Sequence, residues 1–189
     1  MEKYVNDIDK DFLASLNKKN IINILKQILF AIFYMNNVLR IYHNDLYFKQ
    51  NIRNIMYSKN KNNIGSVIKH NNLKVKLHDY IIKIIDFGWG NCKPSFRTTQ
   101  YHFKYFPNNK IISEMLIFIF FFFNTLLSSN KDLNKNQLYL QKILQVYSKK
   151  IEIELEENDE LDQYNFDKYI YNNLNIVISA IEEGFIFLR

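Results

Sequence analysis

The stretch Ile41-Tyr42-His43-Asn44-Asp45-Leu46 joins a long apolar pattern to a cluster of polar side chains. Upstream, over residues 21–39, apolar side chains recur at spacings of three and four positions, which predicts a helix with one buried face. The pattern stops where the polar cluster begins. We therefore expect a loop at residues 41–45, which would hold its polar side chains at the end of a buried helix.

Two short β-rich runs follow this loop, at residues 54–57 and 80–85. The segment between them is rich in Asn and Lys and contains Gly65, so the runs are predicted to pair as a hairpin with a long polar connection. The second run ends at Asp86-Phe87-Gly88, where Gly88 permits a sharp exit. A carboxylate directly after an apolar strand must be solvated, hydrogen-bonded or bound to a metal.

The rest of the chain has helical periodicity, with helices predicted near residues 111–127, 133–157 and 162–186. The first of these is very apolar, but its uninterrupted apolar part covers only residues 115–123, whereas a membrane span needs about 20 residues. We expect a buried core helix there and no membrane span. The patterns together predict an α+β, mostly α-helical fold in a single domain over residues 1–189.

The composition limits the cellular compartment and the classes of partner that we expect. A lone cysteine, Cys92, excludes an intramolecular disulfide, and the first residues lack the layout of a secretory signal, so we expect a cytoplasmic protein. With 25 Lys and Arg against 19 Asp and Glu, the formal charge is +6, which suits phosphate-bearing ligands without requiring nucleic acid. No nucleic-acid partner is predicted. The four histidines and Cys92 show no tetrahedral zinc spacing.

Three motifs occur in order along the chain: His43-Asn44-Asp45-Leu46, Asn54-Ile55-Met56 and Lys83-Ile84-Ile85-Asp86-Phe87-Gly88. Together they resemble the H-R-D-L-x-x-x-N and D-F-G motifs of the protein kinase family. The long helix before the first motif, the hairpin between the motifs and the apolar helix after them match the layout of that family. The resemblance covers nearly the whole chain and implies a protein kinase-like C-terminal lobe, whose small β-hairpin carries the motifs.

The resemblance implies an ATP-dependent phosphotransferase of the Ser/Thr type, with ATP and Mg²⁺ as cofactors. Asp45 would accept the proton of the attacking hydroxyl, and His43 would brace the loop as a structural residue. Asp86 and Asn54 would hold Mg²⁺ against the nucleotide phosphates, because hard oxygen ligands suit this cation. Loss of either position would then remove part of the cofactor site.

The chain departs from the family pattern in its motifs. The family spacing predicts Asn at position 50, where this chain has Gln, so Asn51 and Asn54 both stand as candidate ligands. We favour Asn54, because Ile55-Met56-Tyr57 continues as a buried strand. Asn44 replaces the usual Arg, which removes a cation that pairs with a phosphorylated activation segment. Residues 96–107 occupy the place of that segment.

The chain also lacks the front part of the family. Only 42 residues precede His43, and none of them is glycine, so no N-terminal ATP-binding lobe is recognisable. Lys18 and Lys19 are expected to be solvated residues at a helix start. The expected partner is a protein substrate or a molecule that supplies the missing upper lobe, and no membrane span is expected.

Two other functions agree with the same residues. One is a catalytically inactive pseudokinase or scaffold module, which would dock a partner on apolar surface that an upper lobe otherwise covers. The other is a small-molecule kinase similar to the aminoglycoside and choline kinases. For that enzyme, the acidic run at residues 152–160 would attract a cationic substrate, although such a run is usually a solvated helix face.

Overall fold

A computed structural model describes residues 6–48, 51–127 and 133–184 of the chain. Helices make up 58% and strands 15% of these residues, which confirms the predicted α+β, mostly helical class. The helices are α1 (Lys10–Ala14), α2 (Lys18–Phe33), α3 (Phe96–Tyr105), α4 (Glu114–Leu127), α5 (Leu133–Glu157), α6 (Gln163–Asn172) and α7 (Leu174–Gly184). The strands are β1 (Asn6–Asp7), β2 (Tyr47–Phe48), β3 (Asn51–Ile52), β4 (Ile55–Lys59), β5 (Val67–His70), β6 (Leu73–Lys76) and β7 (Tyr80–Ile84).

The largest described sheet has three antiparallel strands in the order β1-β4-β7. Ile55 of β4 lies opposite Ile84 of β7, so the predicted pairing of residues 54–57 with residues 80–85 is confirmed. A second, two-stranded sheet pairs β2 with β3 directly after the polar loop. These two sheets bring the ends of the three motifs to the same part of the fold.

The connection between β4 and β7 was expected to be a polar loop, and that expectation is wrong. It contains a second hairpin, in which β5 pairs with β6 and Val67 lies opposite Lys76. In β6, Leu73 and Val75 are buried while Lys74 and Lys76 are exposed. This alternation gives the hairpin an apolar face that packs on α2, and the many Asn and Lys residues around it hid the pattern.

The helix predicted over residues 21–39 is present, as α2 followed by a π-helical turn at Tyr34–Leu39. Asn17 caps its start by accepting a hydrogen bond from the Asn20 N–H at 2.9 Å. By length and composition alone, Lys18–Leu39 could cross a membrane, with a mean hydropathy of 1.4. However, 72% of that window is buried against the rest of the fold, and a core helix passes the same test.

Helix α4 forms the centre of the core, as predicted for residues 111–127. All fourteen of its residues are buried, and it packs against α2, α3 and α5. Its ring Phe121 stacks on Tyr47 with centroids 5.0 Å apart, which joins the helix to the segment after the polar loop. The loop is therefore attached to the most buried element of the described fold.

Two helical boundaries differ from the sequence predictions. Residues 96–105 form the helix α3, capped by Ser95, in the place expected for an activation segment. The single helix predicted over residues 162–186 is divided at Asn173 into α6 and α7, and its last two positions lie outside the described residues. Apolar periodicity continues across such a break, so it did not reveal the division.

Candidate active site

The polar loop begins where the π-helical turn ends. Arg40 ends that turn with a left-handed backbone at φ 56°, and Tyr42 forms an isolated antiparallel bridge with Asn91. π-helical turns occur frequently at functional sites. The turn and the bridge together direct the loop between β7 and α4.

His43 connects the loop to the end of β7. The ring is fully buried, and its Nε2–H donates to the Ile85 carbonyl oxygen at 2.8 Å. The ring also contacts Phe87, with centroids 4.7 Å apart. Burial lowers the pKa of His43 from its ordinary value. These contacts suit the bracing role predicted for His43.

Glu114, the first residue of α4, holds the backbone of the loop. Its two carboxylate oxygens accept the N–H groups of Asn44 at 2.9 Å and His43 at 3.3 Å. With its amide oriented to satisfy both of its polar atoms, Asn36 donates to Glu114 at 3.2 Å. Burial is the largest cause that raises the pKa of Glu114 to about 7, against the lowering effect of these hydrogen bonds.

The buried network continues behind Glu114. Asp167 of α6 accepts hydrogen bonds from Ser113 at 2.6 Å and from Asn37 at 3.0 Å. Burial raises the pKa of Asp167, and the charge of Asp167 also contributes to the raised pKa of Glu114. The loop is thus connected through α4 to the π-helical turn and to α6.

Asn44 joins the loop to the segment that leads into α3. Its Oδ1 accepts from the Ser95 N–H at 2.6 Å and from the Thr98 hydroxyl at 3.1 Å. Its Nδ2 lies 3.2 Å from the Lys93 carbonyl oxygen and 3.3 Å from that of Trp89. Asn44 has a left-handed backbone at φ 65°, which Asn tolerates better than most residues. Where the family has Arg, this chain therefore has a neutral side chain that binds the following segment directly.

Asp45 is buried and has cationic partners on two elements. Its carboxylate accepts from Arg97 Nη1 of α3 at 3.2 Å and lies 3.6 Å from Arg53 Nε. Asn54 Nδ2 donates both to the carboxylate and to the backbone carbonyl of Asp45, at 2.9 Å each. The carboxylate predicted to act as the base thus lies between two guanidinium groups and an amide.

Asn54 is the meeting point of two motifs. Its backbone is left-handed at φ 59°, and its carbonyl oxygen accepts from the Ile85 N–H at 2.9 Å. Since Nδ2 is directed to Asp45, the amide oxygen accepts no hydrogen bond from the described residues. Asn51 lies in β3, but its side chain is outside the described part of the structure, so the choice between the two asparagines stays a prediction.

Asp86 follows Ile85 directly and caps a short 3-10 turn. Its backbone is left-handed at φ 57°, and the Gly88 N–H is directed to its Oδ1 at 3.4 Å. The residue is exposed. Because Ile85 is bonded to both His43 and Asn54, the Asp86 carboxylate begins one residue from the place where the three motifs meet.

The oxygen donors fit Mg²⁺ in chemical type. Mg²⁺ is commonly held by one or two protein groups together with substrate phosphates, and Asp86 with the Asn54 amide oxygen offers that set. Within residues 6–48, 51–127 and 133–184, no group of three or more His, Cys, Asp or Glu side chains is arranged to hold a metal. A metal here would need phosphate or water as further ligands.

Several residues of the site were missed by the sequence analysis. Arg97 and Glu114 lie 52 and 70 or more positions from their partners in the loop, so spacing did not reveal them. A signal existed for Glu114, because a lone carboxylate at the start of a very apolar helix needs buried hydrogen-bond donors. Arg53 precedes Asn54 directly, and nothing in the pattern indicated that its side chain turns back to Asp45.

Half of the acidic side chains at residues 152–160 are bonded within the fold. Glu152 is fully buried and accepts from the Lys110 N–H at 2.6 Å, while Glu156 pairs with the Lys110 side chain. Glu154 accepts from the Tyr169 hydroxyl at 2.6 Å. These three carboxylates hold α5 to its neighbours, whereas Glu157, Asp159 and Glu160 of the same run are exposed.

Comparisons with protein-family models, with curated proteins and with solved structures find no match for the chain. The relation to the protein kinase family stays a prediction from its motifs.

Proposed function

We propose that this chain is a divergent protein kinase-like lobe that transfers the γ-phosphoryl group of ATP to a hydroxyl group of a protein. The observation that carries the proposal is the meeting of three motifs through Asn54 and Ile85. Asn54 donates to Asp45, while Ile85 bonds to Asn54 and His43 and leads directly to Asp86. Separate stretches of sequence thus bring Asn54 into contact with Asp45 and place Asp86 one residue beyond Ile85.

These groups support the following reaction. The hydroxyl proton moves to Asp45, the hydroxyl oxygen forms a bond to the γ-phosphorus, and the bond from that phosphorus to the bridging oxygen breaks, so that ADP leaves. Asp86 and Asn54 would hold Mg²⁺, which would supply positive charge to the phosphates when bound. Arg53 and Arg97 lie beside Asp45 and add positive charge where the phosphoryl group would pass.

The proposal includes a partner and a setting. Ile41, Phe87 and Trp89 surround the loop and are 37%, 47% and 67% exposed. Apolar side chains exposed together commonly contact another protein. We assign this surface to an ATP-binding lobe that would cover the loop, and we propose the cytoplasm as the setting.

Nucleotide binding is tested by the thermal unfolding of the full chain with ATP, with and without Mg²⁺. Binding to the folded state raises its stability, by about 2.7 kcal/mol at a ligand concentration 100 times Kd. We expect a rise that requires Mg²⁺ and that disappears in Asp86→Asn, which keeps an acceptor for the Gly88 N–H. The matched control is Asp79→Asn, an exposed aspartate away from the loop. No magnesium-dependent rise would contradict nucleotide binding by this chain alone.

A second candidate function, the inactive scaffold, is favoured by the contacts of Asp45. Its carboxylate is buried and already bonded to Arg97 and Asn54. Transfer of labelled γ-phosphate from ATP to a serine peptide separates the two functions. The kinase proposal expects transfer that Asp45→Asn abolishes, whereas the scaffold expects equal background signal from both proteins.

A further inference from the structure

A cleft rich in lysine lies between α2 and the β5–β6 hairpin, away from the candidate active site. It consists of two adjoining pockets of about 490 and 370 Å³, which share Asn23, Lys26 and His78. We call it the basic cleft, and its cationic or titratable side chains are Lys18, Lys19, Lys26, Lys74, Lys76 and His78.

Most of the positive charge of the basic cleft is not balanced by carboxylates that the structure describes. None of the described residues that line the two pockets is Asp or Glu. Lys18 pairs with Glu182 of α7. Within the described part of the chain, no ion pair joins Lys19, Lys26, Lys74 or Lys76 to a carboxylate. Such an accumulation of like charge is unfavourable until an anion enters.

The walls of the basic cleft are attached to each other by buried amides. Asn23 Nδ2 of α2 donates to the Lys76 carbonyl oxygen at 2.7 Å, and Gln27 Nε2 donates to the Tyr80 carbonyl oxygen at 2.9 Å. Gln27 also accepts from the Ile82 N–H at 3.2 Å. The Asn23 bond fixes α2 against the hairpin, and the Gln27 bonds fix it against β7. The two walls are therefore held in place before any ligand binds.

The basic cleft is separate from the candidate active site. From Lys26, the lining residue of α2 nearest to the loop, residues 27–39 of the helix and its π turn extend for about 20 Å before the loop begins. His78 likewise precedes β7, whose far end leads to Asp86. Both elements thus connect the cleft at one end with the motifs at the other.

We propose that the basic cleft binds a compact ligand that carries two or more neighbouring phosphate groups. Lysine ammonium groups bind phosphate as point charges, and both pockets fall within the volume range of small-ligand sites, about 300–1,000 Å³. Ile22, Val67 and Val75 add an apolar lining for the rest of the ligand. No Phe, Tyr or Trp is among the described lining residues, and such rings are what single-stranded nucleic acid stacks on.

The test uses inorganic tripolyphosphate as the probe, titrated calorimetrically into the full chain in magnesium-free buffer with a chelator. Two variants remove one lysine from each wall: Lys26→Gln with Lys76→Gln, and Lys19→Gln with Lys74→Gln. The control, Lys61→Gln with Lys104→Gln, removes the same charge from exposed positions outside both pockets. We expect each cleft pair to weaken binding about tenfold or more and the control pair less than about twofold.

The same phosphate chemistry occurs on multiply phosphorylated lipid headgroups. Sedimentation with vesicles that contain phosphatidylinositol bisphosphate, against vesicles of equal charge made with phosphatidylserine, identifies that source. Selective sedimentation that both cleft pairs abolish supports the site with a lipid headgroup as its ligand. Binding of tripolyphosphate without selective sedimentation supports a soluble ligand.

Three results would overturn the proposal: no binding of either probe, equal weakening by the control pair, or binding of single-stranded RNA without tripolyphosphate. The proposal stands independently of the kinase function. Asp86→Asn is expected to leave magnesium-free tripolyphosphate binding unchanged, so failure at the cleft and failure at the candidate active site give different results.

Discussion

Polar side chains near the two ends of α2 differ in burial and in bonding. Beyond the C-terminal end, Asn44 and Asp45 of the loop are buried, and they and Glu114 are hydrogen-bonded within the fold. At the N-terminal end, the lysines of the basic cleft are mostly exposed and lack carboxylates within its described walls. A buried polar group is costly unless it is hydrogen-bonded within the chain. An exposed charge is solvated by water and is free to bind a ligand. The polar residues of the loop therefore contribute to the stability of the fold, and the lysines of the basic cleft to the proposed binding of phosphate.

The strongest way to break this comparison is to remove Glu114. Glu114→Ala leaves the backbone N–H groups of His43 and Asn44 buried without an acceptor. We expect the free energy of unfolding to fall by about 3–5 kcal/mol, measured by urea denaturation. Glu183→Ala on the exposed side of α7 is the control, and its change is expected to stay within about 0.5 kcal/mol. Equal losses in both variants would contradict an internal anchoring role for Glu114.

The titration of Glu114 gives the next largest effect. Its folded pKa is about 7, above the ordinary value of 4.5, so between these values the folded state binds more protons than the unfolded state. The stability that Glu114 contributes is full below about pH 4.5 and is lost as the pH rises towards 7. We expect the stability of the wild type, relative to Glu114→Gln, to fall by on the order of 3 kcal/mol over this range.

The difference in stability between the wild type and Glu114→Gln separates the titration of Glu114 from that of other groups nearby. Asp167 has a raised pKa and changes stability in the same direction, whereas the lowered pKa of His43 acts in the opposite direction. Urea denaturation of both proteins at several pH values gives the measurement. A difference that is flat or rises with pH would contradict the predicted sign.

Removing the side chain of Asn44 tests the link between the loop and α3. Asn44→Gly keeps the left-handed backbone but loses the bonds to Ser95, Thr98 and the neighbouring carbonyl groups. We expect a loss of about 2 kcal/mol and faster hydrogen exchange at the Ser95 N–H. Asn44→Ala is expected to cost about 1 kcal/mol more, since alanine is strained in this conformation. Unchanged exchange at Ser95 would show that another contact holds this segment.

The smallest effect is expected in the basic cleft. Without ligand, Lys26→Gln with Lys76→Gln is expected to leave the stability unchanged or to raise it by up to about 0.5 kcal/mol at low salt, because it relieves repulsion between like charges. Thermal unfolding at low and high salt gives the measurement. A marked loss of stability would mean that these lysines are structural, which would remove the contrast between the two ends.

Much of the fold could be predicted because its strongest patterns are local. The buried face of α2 and the apolar α4 follow from residue spacing, and the pairing of β4 with β7 follows from two β-rich runs. The β5–β6 hairpin was missed because it is short and rich in Lys. Helix α3 was missed because the resemblance led us to expect an activation segment over residues that in fact begin with a Ser95 cap.

The sequence predicted which residues belong to the candidate site, but it did not predict which residues they contact. His43, Asp45, Asn54 and Asp86 were selected by motif, and their catalytic and metal-binding roles stay predictions. The pairing of Asp45 with Arg97 and Arg53 could not be read from the motifs, because the arginines occupy positions where the family pattern assigns no role. The basic cleft was also missed, since Lys26 of α2 lines the same pocket as Lys74 and Lys76, which are about 50 positions away in β6.

Local patterning along the chain was enough to establish the α+β class, the long buried helices and the polar loop after α2. Each of these depends on side chains within a few positions of one another, for which periodicity and backbone preference are sufficient. The pairing of charges depended on the packed fold. Because α4 is buried, the Glu114 carboxylate accepts hydrogen bonds from the backbone of the loop. The β5–β6 hairpin packs on α2 and brings lysines that are distant in sequence to one pocket. Contacts between such distant side chains depend on which faces of the helices and strands pack together in the core. The spacing of residues along the sequence does not determine that packing.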